Sequence, residues 1–265
     1  MVASARPPSK RKATRGKDYL KGVFAVNTSM CRSELELIQH VIQLCGFMET
    51  TLAGAGNLYW FGLGMSDREC KLAAKKQFYY NRYPGSEFLA RKKVSCIINN
   101  RMRRTYEDKF RFSPISFLFP EEEEALEAYM KKKKTQMFIG KPSKGKGGEG
   151  IFLISKMEDI PNREWTPGAN DLLVQRYVKN VLLIDQKKFD LRIYVLIKGF
   201  NPIQAYVCEE GLGRFCTENY KPPTKENLKN MFMHLTNYSL NKNSENYQAP
   251  DGMLFSYFHR KLPRK

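Results

Sequence analysis

Polar and apolar residues alternate most regularly in the segment Lys188–Ile197, KFDLRIYVLI. A period of two predicts a β-strand whose charged side chains share one face, namely Lys188, Asp190 and Arg192. The apolar side chains fall on the other face, namely Phe189, Leu191 and Ile193. An acid between two bases is compatible with a solvated strand edge. It also suits a bound polyphosphate and its metal, because a polyphosphate needs fixed positive charge.

The first part of the chain has a β-α-β pattern. Lys21–Asn27 is predicted to form a strand, and Ser33–Cys45 carries apolar residues at the three-and-four spacing of an amphipathic helix. Asn57–Gly62, NLYWFG, is predicted to form a second short strand. This order of elements predicts an α/β domain at the start of the chain.

A basic helix is predicted after the NRYPG turn at Asn81–Gly85. Apolar residues recur with helical spacing in Glu87–Arg101. The basic residues around them are Arg91, Lys92, Lys93, Arg101, Arg103 and Arg104. Such a cluster is either a solvated helix face or a docking surface for acidic chains.

A loop rich in glycine and lysine lies between two predicted strands in Met137–Ser155. The pattern GxxxxGK[ST] is absent and a strand follows, so this loop is not a P-loop. A hairpin loop of this composition can close over phosphates through backbone N–H groups and through Lys144 or Lys146. Pro120–Lys134, with glutamates at its start and lysines at its end, is predicted to form a helix, and Asp171–Val178 a strand.

The composition restricts the class of protein. Of the 265 residues, 45 are Lys or Arg and 27 are Asp or Glu, and the formal net charge of +18 favours polyanionic partners. No apolar run is as long as a transmembrane helix. The cysteines form no CxxC pair and the histidines are scattered, so neither a zinc site nor a His-based triad is supported. Reduced thiols in an intracellular protein are expected.

Five motifs in order resemble the tubulin–tyrosine-ligase-like family, namely Lys141-Pro142 with GEGI, VQRYV, KFDLRIYVL, EGLGRF and HLTNYSLNK. The resemblance extends over Lys21–Tyr247. It implies an ATP-grasp-like fold of the α/β class with α+β mixed sheets. The implied organisation is a disordered basic tail (residues 1–20), an N-terminal α/β domain (21–110) and an incomplete ATP-grasp region (111–265).

The resemblance also implies an activity. Members of this family join an amino acid to a tubulin side chain or C-terminus through an acyl phosphate, using ATP and Mg²⁺. On this basis the phosphates would be bound by Lys141 and by a glycine lid of Gly147, Gly148 and Gly150. The hinge that reads adenine would consist of Gln175, Arg176, Tyr177 and Val178. Further nucleotide contacts would come from Lys188, Asp190, Thr236 and Asn237.

Two arginines are assigned catalytic roles by the same resemblance. Arg192 would lie near the transferred phosphate, and Arg214 would bind the carboxylate of the incoming amino acid. The further substrate contacts would be Tyr238, Ser239 and Lys242. The metal ligands are unknown, because the family places them on strands after HLTNYS, where this chain offers only Glu245 and Asp251 as acids. A C-terminally truncated chain is therefore expected.

The amino acid that is ligated stays open among three possibilities. The GGEG loop resembles the tubulin tyrosine ligase, whereas HLTNYSLNK resembles the glutamylases. We expect a ligase that adds glutamate to glutamate side chains of tubulin C-terminal tails. The alternatives are a tyrosine ligase or glycylase, an inactive microtubule-tail binder and, ranked last, a nucleic-acid binder. The expected partners are tubulin tails, microtubules and free glutamate, without nucleic acid or membrane. A monomer is expected, in the cytoplasm and on the cytoskeleton, including the cilium or basal body.

Overall fold

The structure is a computed structural model that describes residues 24–247, except 63, 64, 67, 70, 72–77, 84, 146 and 163. The predicted tail (1–20), Pro84, Lys146 and Asp251 lie outside the described residues. The chain divides into two compact units, Met1–Ala90 and Arg91–Lys265. The sequence-based prediction placed this boundary near residue 110. In the structure the division falls between Ala90 and Arg91, so the basic helix belongs to the second unit. None of the described helices is long and apolar enough to cross a bilayer.

The first unit contains a parallel four-stranded sheet in the order β2–β1–β3–β4. Its strands are β1 (Ala25–Asn27), β2 (Met48–Thr50), β3 (Leu58–Tyr59) and β4 (Tyr79–Tyr80). Helix α1 (Leu35–Leu44) connects β1 to β2 and buries Ile38 and Ile42 against Val26. The predicted first strand, helix and Asn57–Gly62 strand are present as β1, α1 and β3, whereas β2, which follows α1, was not predicted.

The second unit contains an antiparallel sheet in the order β5–β8–β6–β7. Its strands are β5 (Ser116–Phe119), β6 (Phe138–Pro142), β7 (Phe152–Ile154) and β8 (Leu172–Arg176). Helix α3 (Glu123–Lys132) packs Leu126 and Met130 on one face of this sheet. Helix α2 (Lys92–Thr105) buries Cys96 against Leu118 and Leu173. Together these elements confirm a mixed α/β fold.

Helix α2 differs from the prediction at its start and in its buried face. Residues Ser86–Ala90 form a 3-10 turn, and the α-helix begins at Lys92. Two of the apolar residues that predicted the helix, Ile97 and Ile98, are exposed, and Cys96 takes the buried position. Other 3-10 turns are Glu107–Phe110, Met157–Asp159 and Met231–Met233.

The predicted strand Lys188–Ile197 is two strands in two sheets. Strand β10 (Lys187–Arg192) lies between β13 (Leu212–Asn219) and β9 (Leu183–Ile184) in an antiparallel sheet. Its last pair is Arg192 with Leu212, the first residue of β13, so the ladder ends there. The apolar continuation forms a separate hairpin of β11 (Val195–Phe200) and β12 (Ile203–Val207). This hairpin exposes its apolar side chains, with Leu196 at 61% and Ile203 at 72%.

Candidate functional site

Three lysine ammonium groups lie close together in the second unit. Lys141, on β6, donates to Gln175 Oε1 on the neighbouring β8 at 2.7 Å. Lys92, at the start of α2, donates to the carbonyl oxygens of Pro142 (2.9 Å) and Gly145 (2.6 Å). Burial, and then the charges of Lys188 and Lys92, lower the pKa of Lys141 to about 8. Within the described part of the chain, none of the three donates to a carboxylate. The cluster is therefore suited to an anion.

Lys188 is held in place by neutral groups. Its Nζ donates to His234 O at 2.8 Å and to the Tyr177 hydroxyl at 3.1 Å, and it lies 4.5 Å from the centre of the Tyr177 ring. The Tyr177 hydroxyl is 3.1 Å from His234 Nδ1, and His234 Nε2 is 3.3 Å from Asn227 Oδ1. Burial and the Lys188 charge lower the pKa of His234 to about 4. The imidazole is thus neutral near pH 7, with Nε2 as donor and Nδ1 as acceptor.

This arrangement predicts a pH dependence of stability that belongs to His234. Between its ordinary pKa of 6.5 and its folded pKa of about 4, the unfolded chain binds a proton that the folded chain excludes. Stability should therefore rise with pH through this window, by on the order of 2–3 kcal/mol. Urea unfolding at a series of pH values should show a flatter dependence for His234→Asn than for a control, His40→Asn, at an exposed histidine. Equal dependences in the two variants would contradict the assignment.

Asp190 binds two other predicted site residues at once. It lies opposite Arg214 in the β10–β13 register. Asp190 Oδ1 accepts from Arg214 Nε at 2.6 Å, and Oδ2 accepts from Arg214 Nη2 at 2.5 Å and from the Thr236 hydroxyl at 2.6 Å. Arg214 thus lies within β13. The guanidinium is oriented as a rigid fork, the geometry that binds a carboxylate in two places.

The glycine loop between β6 and β7 contacts the HLTNYS segment. Ser239 Oγ donates to Gly147 O. Gly147 and Gly148 have φ angles of +60° and +98°, and a Cβ on Gly148 would lie 2.9 Å from Asn237 Cγ. Gly150 also has a positive φ, of +66°. Glycine is therefore required for this loop to approach the chain at Asn237.

Part of the predicted adenine hinge already makes backbone hydrogen bonds within the fold. The amides of Arg176 and Tyr177 donate to the backbone oxygens of Ile115 and Met137, each at 2.8 Å. The side chains of this segment differ in exposure. Tyr177 is buried against Lys188, whereas Arg176 and Val178 are exposed. Any adenine contact through the backbone would therefore have to use other groups of this segment.

The remaining predicted residues lie at the surface. Arg192, at the end of β10, is exposed. Tyr238 and Lys242 are exposed as well, with the Lys242 ammonium 5.9 Å from the centre of the Tyr238 ring. Residues 238–241 form a short helix, α4 (Tyr238–Asn241).

Sequence reasoning missed three residues that build the site: Lys92, His234 and Asn241. In the sequence Lys92 was one of six similar basic residues, and its contacts with Pro142 O and Gly145 O distinguish it in the structure. Asn241 is buried, accepts from the Thr217 amide and hydroxyl at 3.0 Å, and donates to Leu235 O at 2.7 Å. It thereby fixes the Thr236–Asn237 segment against β13. His234 and Asn241 belong to the quoted HLTNYSLN motif, which was the available signal.

The possible ligands of a metal ion are His, Cys, Asp and Glu side chains. Across the described residues there is no group of three or more His, Cys, Asp or Glu side chains that could hold a metal ion. Both oxygens of Asp190 are already used by Arg214 and Thr236. These residues alone therefore do not form a metal site.

Comparison with known proteins agrees with the sequence motifs. The model of the "Tubulin-tyrosine ligase family" matches residues 71–262. Tubulin polyglutamylase ttll-11 of Caenorhabditis elegans is 36% identical, over 93% of this chain and 36% of its own length. Mouse TTLL13 is 33% identical over 87% of this chain and 28% of its own length, and human TTLL6 is 35% identical over 84% and 24%. Both are also named as tubulin polyglutamylases. The chain spans about a quarter to a third of the length of these relatives.

Proposed function

Because the chain belongs to the tubulin-tyrosine ligase family, we propose that it acts as an ATP-dependent ligase on tubulin. The reaction adds glutamate to glutamate side chains of tubulin C-terminal tails. Support for glutamate and for tubulin comes from the relatives, which are named as tubulin polyglutamylases. Support for ATP comes from the site itself.

The observation that carries the proposal is the cluster of Lys92, Lys141 and Lys188. Burial, and then the positive charges of Lys188 and Lys92, lower the pKa of Lys141, so its charged form is disfavoured in the free chain. Such an arrangement is costly unless a polyanion binds there, and a nucleotide polyphosphate supplies several negative charges. The glycine loop beside the cluster adds backbone N–H groups that can bind phosphate oxygens.

Each residue of the site then has a role. The ammonium groups of Lys141 and Lys188 bind phosphate oxygens, and Lys92 ties the glycine loop to the end of β6. Asp190 orients Arg214 to bind the carboxylate of the incoming glutamate. ATP supplies the phosphoryl group that turns the tail carboxylate into an acyl phosphate, and the glutamate amine then displaces phosphate. Arg192 meets the charge on the transferring group.

The proposal extends to the cation, the partners and the location. Mg²⁺ accompanies nucleotide polyphosphates in phosphoryl transfer, and no residue of this chain is assigned to it. Free glutamate and tubulin tails on microtubules are the substrates of a monomeric enzyme. The enzyme acts in the cytoplasm on the cytoskeleton, including the cilium or basal body.

The direct test is a ligation assay with the 265-residue chain, ATP, glutamate and a synthetic acidic tubulin-tail peptide. We expect mass spectrometry to detect peptide extended by glutamyl residues, only when ATP is present. Tyrosine and glycine in place of glutamate are the matched controls. Binding of ATP and of the tail without any transfer would instead indicate a non-catalytic tail binder.

Substitutions of Arg192 and Phe189, which both lie on β10, should separate an effect on catalysis from an effect on stability. Arg192 is exposed at the end of β10, so Arg192→Ala should lower turnover about 100- to 1,000-fold without lowering the melting temperature. Phe189 is half-buried, stacked on Phe215 with ring centres 5.6 Å apart. Because its burial is incomplete, Phe189→Ala should cost about 1–2 kcal/mol of unfolding free energy, less than a fully buried phenylalanine. Thermal unfolding and single-turnover assays of both variants test this prediction. A lowered melting temperature of Arg192→Ala would contradict it.

A further inference from the structure

The basic residues of α2 differ in what they contact. Lys92 donates to the glycine loop. Lys93 donates to two carboxylates, at 2.7 and 3.2 Å, and Arg103 donates to backbone carbonyls beyond the helix end. These three positive charges are therefore used by the fold or by the nucleotide site.

Arg101 and Arg104 are different. Both are exposed, and neither makes an ion pair or a side-chain hydrogen bond with the residues that the structure describes. They lie three residues apart, so they share one face of α2 as neighbouring like charges, an arrangement that disfavours the isolated helix. A bound anion would reverse that cost.

A cleft of about 290 Å³ lies beside the two arginines. It is lined by Ile97, Asn100, Arg101, Arg104, Leu118 and Glu122. Ile97 and Leu118 provide an apolar surface, and the amide of Asn100 already donates to Ser116 O at 2.9 Å. Glu122 accepts from the Leu118 amide at 2.8 Å. The two guanidinium groups are thus the part of the cleft available to a charged ligand.

We propose that this cleft binds a segment of an acidic peptide. Carboxylates of the peptide pair with Arg101 and Arg104, and an apolar side chain between them lies on Ile97 and Leu118. Guanidinium groups match carboxylates in a two-point geometry. A nucleic acid fits less well, because none of the described residues that line the cleft is aromatic and could stack on a base. The inference deepens the proposed function, on which it rests, by placing the acidic tail of the substrate on α2.

Fluorescence anisotropy with the 265-residue chain tests the cleft. Two labelled peptides are used, one of glutamate and glycine only, and one in which a phenylalanine replaces a central glycine. We expect Arg101→Gln/Arg104→Gln to weaken binding of both peptides at least tenfold and to reduce the salt dependence. The matched control, Lys132→Gln/Lys133→Gln, removes the same charge at exposed positions and should change affinity less than twofold. Ile97→Ala should weaken only the peptide with phenylalanine.

Several outcomes would overturn the inference. The first is an equal loss of peptide affinity in the two double variants, and the second is no peptide binding by the unaltered chain. The third is a single-stranded RNA that displaces the peptide and whose binding depends on the two arginines to the same extent. Nucleotide affinity, measured on the same variants, separates this inference from the proposed function. If the chain binds ATP but Arg101→Gln/Arg104→Gln binds peptide normally, the inference alone fails. If the chain binds peptide through the arginines but does not bind ATP, the proposed function alone fails.

Discussion

Replacing Lys141 by Met is expected to lower ATP affinity about 30- to 100-fold and to make the chain more stable at neutral pH. The loss of affinity follows from removing one charged donor to phosphate, which contributes about 2–3 kcal/mol. The gain in stability follows from the cost of holding Lys141 charged in the folded chain, because burial, and then the charges of Lys188 and Lys92, lower its pKa to about 8. The lost hydrogen bond to Gln175 offsets part of that gain, so about 1–2 kcal/mol should remain.

The pH dependence of the same variant has a definite sign. Between pH 8 and the ordinary lysine pKa of 10.5, the unfolded chain binds a proton that folded Lys141 has released. Stability of the unaltered chain should therefore rise with pH across this window, and Lys141→Met should lack that rise. Calorimetric titration with ATP and urea unfolding measure the two effects, with Lys134→Met as the exposed control. A destabilised Lys141→Met that still binds ATP would contradict the assignment.

The ion pair of Asp190 and Arg214 is expected to show strong energetic coupling. Both oxygens of Asp190 are engaged, and Arg214 is largely buried, with 19% of its side chain exposed. Removing either partner leaves the other charged group without compensation. A double-mutant cycle of Asp190→Asn and Arg214→Gln should therefore return a coupling energy of about 1–3 kcal/mol. Asp190→Asn should also abolish ligation, because Arg214 loses its orientation.

A surface pair provides the comparison. Arg111 and Glu107 form an ion pair at 3.1 Å with 64% and 71% of their side chains exposed. The same cycle on this pair should give less than about 0.5 kcal/mol, because water screens exposed charges. Equal coupling in the two cycles would show that Asp190 and Arg214 form an ordinary surface pair without a positioning role.

Local pattern was sufficient for elements whose signal lies within a few residues. The helix predicted for Pro120–Lys134 appears as α3 because acidic and basic residues mark its two ends and Leu126 and Met130 face the core. The glycine loop between two strands was also predictable, since its composition and the flanking apolar segments are local features. The α/β class of the first domain followed from the order of such elements, and the mixed sheets were implied by the family resemblance.

Features that depend on strand register were not predictable. Asp190 meets Arg214 because β10 pairs with β13 in one particular register, which the alternation of either strand does not specify. The strand at Lys188–Ile197 was predicted to be continuous because nothing in KFDLRIYVLI marks a break. The break arises because β13 offers no partner beyond Leu212. Lys92 likewise has its role through contacts with Pro142 and Gly145, about fifty residues away in the chain.

The central claim is that Lys92, Lys141 and Lys188 form a polyphosphate site. Its most direct test is the NMR pH titration of the Lys141 ammonium group in the free chain and in the presence of ATP. The lysine cluster predicts a pKa near 8 in the free chain, raised by at least about one unit when the nucleotide's negative charges bind. A pKa that ATP leaves unchanged, measured at a concentration where ATP is bound, would place the nucleotide elsewhere and contradict the claim.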